Sequence, residues 1–307
     1  MSSDTTDDTS CASCGKTRSG DIKLKKCACT LVRYCSIKCQ KEHRSQHKGA
    51  CKKKIAELFD EKLFAPSPPK EDCPICFLPM PLGAENTQYK ACCGKLICNG
   101  CLVAAANAEN NAHQPKCPFC RNLALNEDSA LVKQYRKRMK ENNDPIATYG
   151  LAGMYLFGNM VAQDKSKAIE LLALASDQGS TEASVNLALM YKDGNGVARD
   201  IKKYLHYTQL AAMKGNERAR FNLGVYEAHE QRNNVRATKH FAIGARAGDD
   251  EALKMCTEAY KASFLTKDEF EQILRSHKEE KDSMKSEQRD VAMMELAPHQ
   301  HMRIGPK

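Results

Sequence analysis

Small zinc-stabilised α+β modules followed by an all-α solenoid of helix-hairpin repeats form the fold class that the sequence predicts, on three observations. Fifteen of the 16 cysteines lie between Cys11 and Cys120 and fall into two successive sets of eight metal-ligand positions. From Asp144 onward the text repeats with a period in the mid-thirties. Nowhere does the chain carry an apolar run of the roughly 18 to 20 residues that a membrane helix needs. Its 307 residues allow two or three domains.

Cys11-x2-Cys14, Cys27-x-Cys29, Cys35-x3-Cys39 and His47-x3-Cys51 make the first set. Cys73-x2-Cys76, the doublet Cys92-Cys93, Cys98-x2-Cys101 and Cys117-x2-Cys120 make the second. Zinc takes four soft or borderline ligands in a tetrahedron, and a short loop between two cysteines delivers two of them with little strain. Four pairs per set make two sites, so four zinc ions are expected. Metal-like spacings argue against a disulfide framework, as does the N-terminus. MSSDTTDDTS has no basic n-region and no apolar h-region, so no signal peptide is expected and residues 1–10 read as a disordered acidic N-terminus. The expected location is intracellular, in the cytoplasm and/or nucleus, with reduced thiols.

Fifteen bound thiolates and four dications lower the formal charge of +9 by seven, to about +2. Nucleic acid is therefore not the expected partner. The remaining excess sits in residues 11–54, where 13 Lys and Arg face only Asp21 and Glu42. A solvated small-domain surface accounts for it; attraction of acidic partners is the alternative.

Residues 11–51 resemble a MYND zinc finger, on CASC, the run RYCSIKCQ and the closing His47-x3-Cys51. The resemblance implies alternating ligand pairs: Cys11, Cys14, Cys35 and Cys39 on one zinc, and Cys27, Cys29, His47 and Cys51 on the other. Interleaving lets each metal tie together segments distant in sequence, replacing a core that about 40 residues cannot supply. Residues 36–54 read as a helix carrying the last ligands. Two departures stand out. The Cys27-x-Cys29 loop is one residue shorter than the family's, and Arg44 stands where many members carry a tryptophan beside a proline-peptide groove. His43 lacks the family spacing and is expected to be exposed.

Residues 71–122 resemble a RING domain of the all-cysteine type, on CPIC, CCGKLICNGC and CPFCR. Its cross-brace order implies Cys73, Cys76, Cys98 and Cys101 on one zinc and Cys92, Cys93, Cys117 and Cys120 on the other, with His113 a minor alternative ligand. In that family the module binds a ubiquitin-conjugating enzyme and holds its loaded ubiquitin in a reactive pose, which is catalysis by positioning. Ile75 and Pro118 stand where the family presents its apolar contact surface. Arg121 stands where active members carry a basic residue bridging enzyme and ubiquitin. Ile75 and Pro118 could equally shape the zinc loops, and Arg121 be a surface cation.

Between the modules, residues 52–70 read as a short helix, with Ile55, Leu58, Phe59 and Leu63 at helical spacing, stopped by the Pro-rich PSPPK. Residues 123–142 read as a basic helical connector with a solvated face. In residues 143–275, Ala147, Ala183, Ala219 and Ala252 recur at intervals of 36, 36 and 33, and Tyr155, Tyr191, Tyr226 and Tyr260 keep nearly that step. Small side chains at fixed places signal stacked helix hairpins, each burying its face on the next. The units resemble Sel-one-like repeats, relatives of tetratricopeptide repeats, and number three plus a capping half-repeat. Met160 replaces a loop glycine in the first unit. Cys256 takes the slot of Leu151, Leu187 and Leu223 and reads as a buried small hydrophobe. Residues 276–307 read as a charged, mobile tail.

Together these readings describe a zinc-binding protein-interaction protein without membrane partner. Its leading function is that of a RING-type ubiquitin ligase whose repeats recruit an unknown target; the alternative is a non-enzymatic scaffold or adaptor. No residue is assigned to covalent catalysis.

Overall fold

The computed structural model describes residues 9–17, 23–108, 116–123 and 127–300, with residues 297–300 as backbone only. His113 and most of the acidic N-terminus lie outside the described residues. The chain divides into two compact units, Met1–Ala65 and Pro66–Lys307.

In the first unit the buried residues are mostly cysteines. Cys11, Cys27, Cys29 and Cys39 surround Tyr34, with Leu24, Leu31 and Val32 packed against them. So few apolar side chains cannot offset the entropy of ordering the segment without a metal. Strands β1 (Lys25–Lys26) and β2 (Arg33–Tyr34) pair antiparallel, Lys25 opposite Tyr34. Helix α1 (Ile37–Glu42) follows, with Ser36 as its N-cap, Oγ accepting from Cys39 N at 3.2 Å. Helix α2 (Arg44–Leu63) runs unbroken through His47 and Cys51. The sequence pattern suggests two helices here, one carrying the ligands and one in the linker. The structure instead breaks the helix at His43 and continues it to Leu63.

The second unit begins with the second cysteine-rich module. After the 3-10 turn Ala84–Asn86, strands β3 (Thr87–Lys90) and β4 (Lys95–Cys98) form a hairpin in the register Thr87 opposite Cys98 and Lys90 opposite Lys95. Helix α3 (Asn99–Ala108) follows directly, and Cys73, Ile97, Cys98 and Cys101 form the small core.

Helix α4 (Asp128–Asn142) does not present a solvated face throughout, contrary to the sequence expectation. Val132, Tyr135 and Met139 enter the first solenoid core, and Arg136 Nη2 donates to Tyr155 Oη at 2.9 Å. The basic side chains had hidden an apolar stripe at helical spacing.

Four helix hairpins follow: α5 (Pro145–Phe157) with α6 (Lys165–Gln178), α7 (Thr181–Asp193) with α8 (Ile201–Met213), α9 (Glu217–His229) with α10 (Asn234–Arg246), and α11 (Asp250–Lys261) with α12 (Lys267–Ser283). Each helix of these four hairpins starts on a side-chain cap. Asp144, Ser180, Asn216 and Asp249 open the first helices and Asp164, Asp200, Asn233 and Thr266 the second ones. Each cap contributes about 1 kcal/mol. The alanines at 147, 183, 219 and 252 are fully buried, and so is Cys256 in its leucine slot.

The fourth hairpin is therefore complete rather than a half-repeat. The expected mobile tail is also helical as far as it is described, because α12 ends at Ser283 and α13 (Glu287–Gln300) follows. Ile273, His277, Met284, Arg289 and Ala292 turn inward, and this buried stripe is what the high charge of the segment concealed.

The cysteine-rich module is held against the solenoid. Tyr89 Oη donates to Asp144 Oδ2 at 2.7 Å, Gln134 Nε2 to Ala91 O at 3.3 Å, and Lys70 Nζ to Ala247 O at 2.8 Å and to Glu280. Helix α13 also packs against α3.

Candidate metal centres

One backbone device recurs at the cysteine pairs. Cys11 N donates to Lys16 O at 2.9 Å, Cys73 N to Leu78 O at 2.9 Å and Cys117 N to Asn122 O at 2.8 Å. A return bond closes each loop: Gly15 N to Cys11 O at 2.8 Å, Phe77 N to Cys73 O at 2.9 Å and Arg121 N to Cys117 O at 2.8 Å. Gly15, Phe77 and Arg121 take positive φ of 70, 56 and 62° to close them. In the shortened Cys27-x-Cys29 loop Cys27 N still reaches Val32 O at 2.9 Å, while the closing bond falls one residue earlier, from Thr30 N to Cys27 O at 2.9 Å.

These loops turn their N–H groups toward the first cysteine of each pair. Burial opposes ionisation of Cys11, but donors at Cys35, Cys14 and Ser13 outweigh it and bring the thiol down to about 6. Cys73 and Cys117 come down to about 7, burial again opposing and backbone N–H groups prevailing, led by Cys76 for the one and Cys120 for the other. Their neighbours go the other way. Cys35 rises to about 12 through hydrogen bonds with Cys14 and Cys39, and Cys51 to about 11 through burial and its contacts with Cys27 and Cys29. Burial also raises Cys92 and Cys101. Four thiols in one place cannot all ionise without a cation among them. Burial first, and then the charge of His43, lower His47, which favours the neutral imidazole that a metal requires.

Four groups of ligand atoms converge, with all members of each within 4.8 Å of one another. They are Cys11, Cys14, Cys35 and Cys39; Cys27, Cys29, His47 and Cys51; Cys73, Cys76, Cys98 and Cys101; and Cys92, Cys93, Cys117 and Cys120. A tetrahedron of Zn–S bonds near 2.3 Å has S···S edges of about 3.8 Å. The observed pairs match: Cys14–Cys35 3.6 Å, Cys27–Cys51 3.7 Å, Cys73–Cys101 3.8 Å, Cys76–Cys98 3.9 Å, Cys93–Cys117 3.9 Å and Cys92–Cys120 3.5 Å. Cys29 Sγ and His47 Nε2 stand closer, at 3.0 Å. All sixteen thiols are free, at separations far beyond a disulfide's length of about 2.05 Å. The donor sets and edges fit zinc at all four clusters.

His43 is not exposed as the sequence suggested. It is half-buried, its Nδ1 pairs with Tyr34 Oη at 3.0 Å, and its ring stacks on His47 at 5.7 Å. Ile75 and Pro118 lie half-buried between the ligands of their loops, and Arg121 is exposed directly after the last one. Phe77 and Phe119 in the same loops, which the ligand spacing does not single out, are 76% and 43% exposed. Helix α13 brings Arg289 within 3.5 Å of Cys76 Sγ. No local spacing signals a partner that distant.

Residues 11–51 match the MYND finger family, and residues 145–180, 181–216 and 218–249 match the Sel1 repeat; neither match extends over residues 71–122. No curated protein matches the chain. Among solved structures, a Sel1 repeat protein from Oxalobacter formigenes is 22% identical, covering 56% of this chain and 69% of its own, with a TM-score of 0.44. A protective antigen of uropathogenic Escherichia coli strains displaying an SLR fold is 19% identical over 56% of this chain and 46% of its own, with a TM-score of 0.40. An immunity protein from Pseudomonas aeruginosa is 17% identical over 51% of this chain and 75% of its own, with a TM-score of 0.27. The chain thus carries a MYND finger and Sel1 repeats, the architecture of a zinc-binding protein-interaction scaffold. Among the described residues no helix is long and apolar enough to cross a membrane.

Proposed function

We propose that the chain is a RING-type ubiquitin ligase that positions a conjugating enzyme on its second cysteine-rich module, while the repeats recruit the protein to be modified. The observation that carries the reading is the interleaving of that module. Cys73 and Cys76 group with Cys98 and Cys101 across the pair Cys92 and Cys93, which groups in turn with Cys117 and Cys120. This cross-brace sets the loops of Ile75 and Pro118 at the surface, each with an exposed phenylalanine beside it, and leaves Arg121 after the last ligand. Each quartet, in this reading, holds one Zn²⁺ through the sixteen residues named above, and the metals supply folding energy rather than chemistry. Ile75 and Pro118 contact the conjugating enzyme; Arg121, with its several planar donors, bridges enzyme and ubiquitin. The solenoid offers the extended surface that a protein target requires.

A discharge assay over a panel of ubiquitin-loaded conjugating enzymes tests this. Wild type should accelerate discharge, and Arg121→Ala should slow it at least about tenfold, the loss of roughly 1.4 kcal/mol of transition-state stabilisation. Alanine keeps the Cβ that arginine already accommodates at φ +62°, so zinc content and helicity should not change. Ile75→Ala should weaken binding of the enzyme itself. No discharge by wild type with any enzyme sinks the ligase reading and leaves the non-enzymatic scaffold.

A further inference from the structure

Helix α13 reaches the first metal cluster of the second module through one side chain. Arg289 is 8% exposed. Its Nη1 donates to Pro79 O at 2.8 Å and Met284 O at 2.6 Å, and its Nη2 to Leu78 O at 3.3 Å and Cys76 Sγ at 3.5 Å. Leu78 and Pro79 belong to the loop that closes the Cys73–Cys76 pair, since Leu78 O also accepts from Cys73 N at 2.9 Å. The guanidinium therefore holds the outside of the same loop whose inside presents two sulfurs.

Gly100 makes the approach possible. A Cβ there would lie 2.8 Å from Arg289 Cγ and 2.9 Å from its N, closer than real side chains come, and a tight 3.0 Å from its Cα. Ser286 starts the helix by accepting from Arg289 N at 3.3 Å, and Asn107 Nδ2 reaches Glu295 Oε1 at 3.3 Å further along. Glycine between Cys98 and Cys101 is thus matched to a helix almost two hundred residues away.

Charge gives the contact its purpose. Four thiolates around Zn²⁺ leave a net charge of −2, which a poorly solvated site must compensate. A buried guanidinium against Cys76 supplies a positive charge and a charge-assisted N–H···S bond.

We propose that Arg289 is a positioning residue of the zinc site formed by Cys73, Cys76, Cys98 and Cys101, so that α13 is part of that metal centre. The proposal rests on the zinc reading of this quartet and is independent of ligase activity. Outer-shell partners of metal ligands typically govern about 10- to 100-fold in metal affinity.

The test uses the full-length protein loaded with zinc, whose metal is first counted and then withdrawn by a chromophoric chelator. Arg289→Ala should release one of the four equivalents about 10 to 100 times faster than wild type, with the other three unchanged. That fast phase should vanish in a Cys76→Ser background. Gly100→Ala, which retains Arg289 but pushes α13 away, should reproduce it. Arg289→Lys keeps the charge without the fork and should fall between; it decides the matter if the alanine variant does not fold. With cobalt in place of zinc, the thiolate-to-metal absorption should shift in Arg289→Ala, a change that loose helix packing alone does not cause. Release at the wild-type rate in both Arg289→Lys and Gly100→Ala overturns the proposal. A wild-type count that omits this quartet removes the zinc reading itself, and the proposal with it.

Discussion

Asp144 joins three parts of the second unit, and replacing it separates their contributions. Its Oδ1 caps α5, accepting from Ile146 N and Ala147 N at 3.1 Å each. Its Oδ2 accepts from Tyr89 Oη of the zinc-module hairpin at 2.7 Å and from Arg138 Nε of α4 at 2.9 Å. Asp144→Asn preserves the cap but turns an amide N–H toward the arginine. A hydrogen bond between charged groups contributes about 1.5–3 kcal/mol, so the asparagine should cost about 2–3 kcal/mol. Asp144→Ala also loses the cap, adding about 1 kcal/mol. With a urea slope of about 2–3 kcal/mol per molar, the asparagine should lower the unfolding midpoint by roughly 1 M. Far-UV circular dichroism of the solenoid helices reads this directly. The dependence on pH has a definite sign. Burial alone would raise the Asp144 carboxyl, but Tyr89, the Ala147 N–H and Arg138 outweigh it and hold it below its ordinary value. A carboxyl depressed on folding stabilises fully above its unfolded pKa of about 3.9 and loses that contribution as pH falls through the folded value. The gap between wild type and Asp144→Asn should therefore narrow below about pH 4. An asparagine variant within about 0.5 kcal/mol of wild type at pH 7, or one indistinguishable from the alanine variant, refutes the assigned charge contribution.

Met160 occupies φ +65° where the next repeat has Gly196 at +77°. A left-handed conformation costs a non-glycine residue roughly 1–2 kcal/mol, so Met160→Gly should raise stability by about 0.5 kcal/mol after the entropy of glycine is deducted; a fall in the unfolding midpoint would show instead that the side chain holds the loop. Cys256 is fully buried, and burial drives its thiol up to about 12. In zinc-loaded protein at pH 8 it should resist alkylation until denaturant is added, and rapid modification of the native chain would contradict its packing against Phe241 and Ile273.

What could be read in advance follows from the range of the forces involved. The ligand pairs and the repeat alanines were legible because a zinc loop and a helix hairpin impose spacings within a few residues or one repeat. The caps were equally local, with Asp144, Ser180, Asn216 and Asp249 at the same intervals as the alanines, yet the alanine pattern drew attention from them. The helical C-terminus was not legible. Its charged residues outnumber the few that turn inward, and the surface that receives Arg289 lies 210 positions earlier at Pro79. Nor does the tilt of Lys70 toward Ala247 and Glu280 leave a trace in PSPPK, since proline only stops the preceding helix.

That long span bears on how the protein is made. A repeat array ordinarily completes each hairpin against the one before it, as the chain emerges. Here Lys70 must meet Glu280, and Pro79 must meet Arg289, each across 210 positions. At synthesis rates of about 5–20 residues per second, the second module is exposed for roughly 10–40 s before its last contacts exist. Its thiols are then open to metal, and the finished solenoid delivers the closing helix.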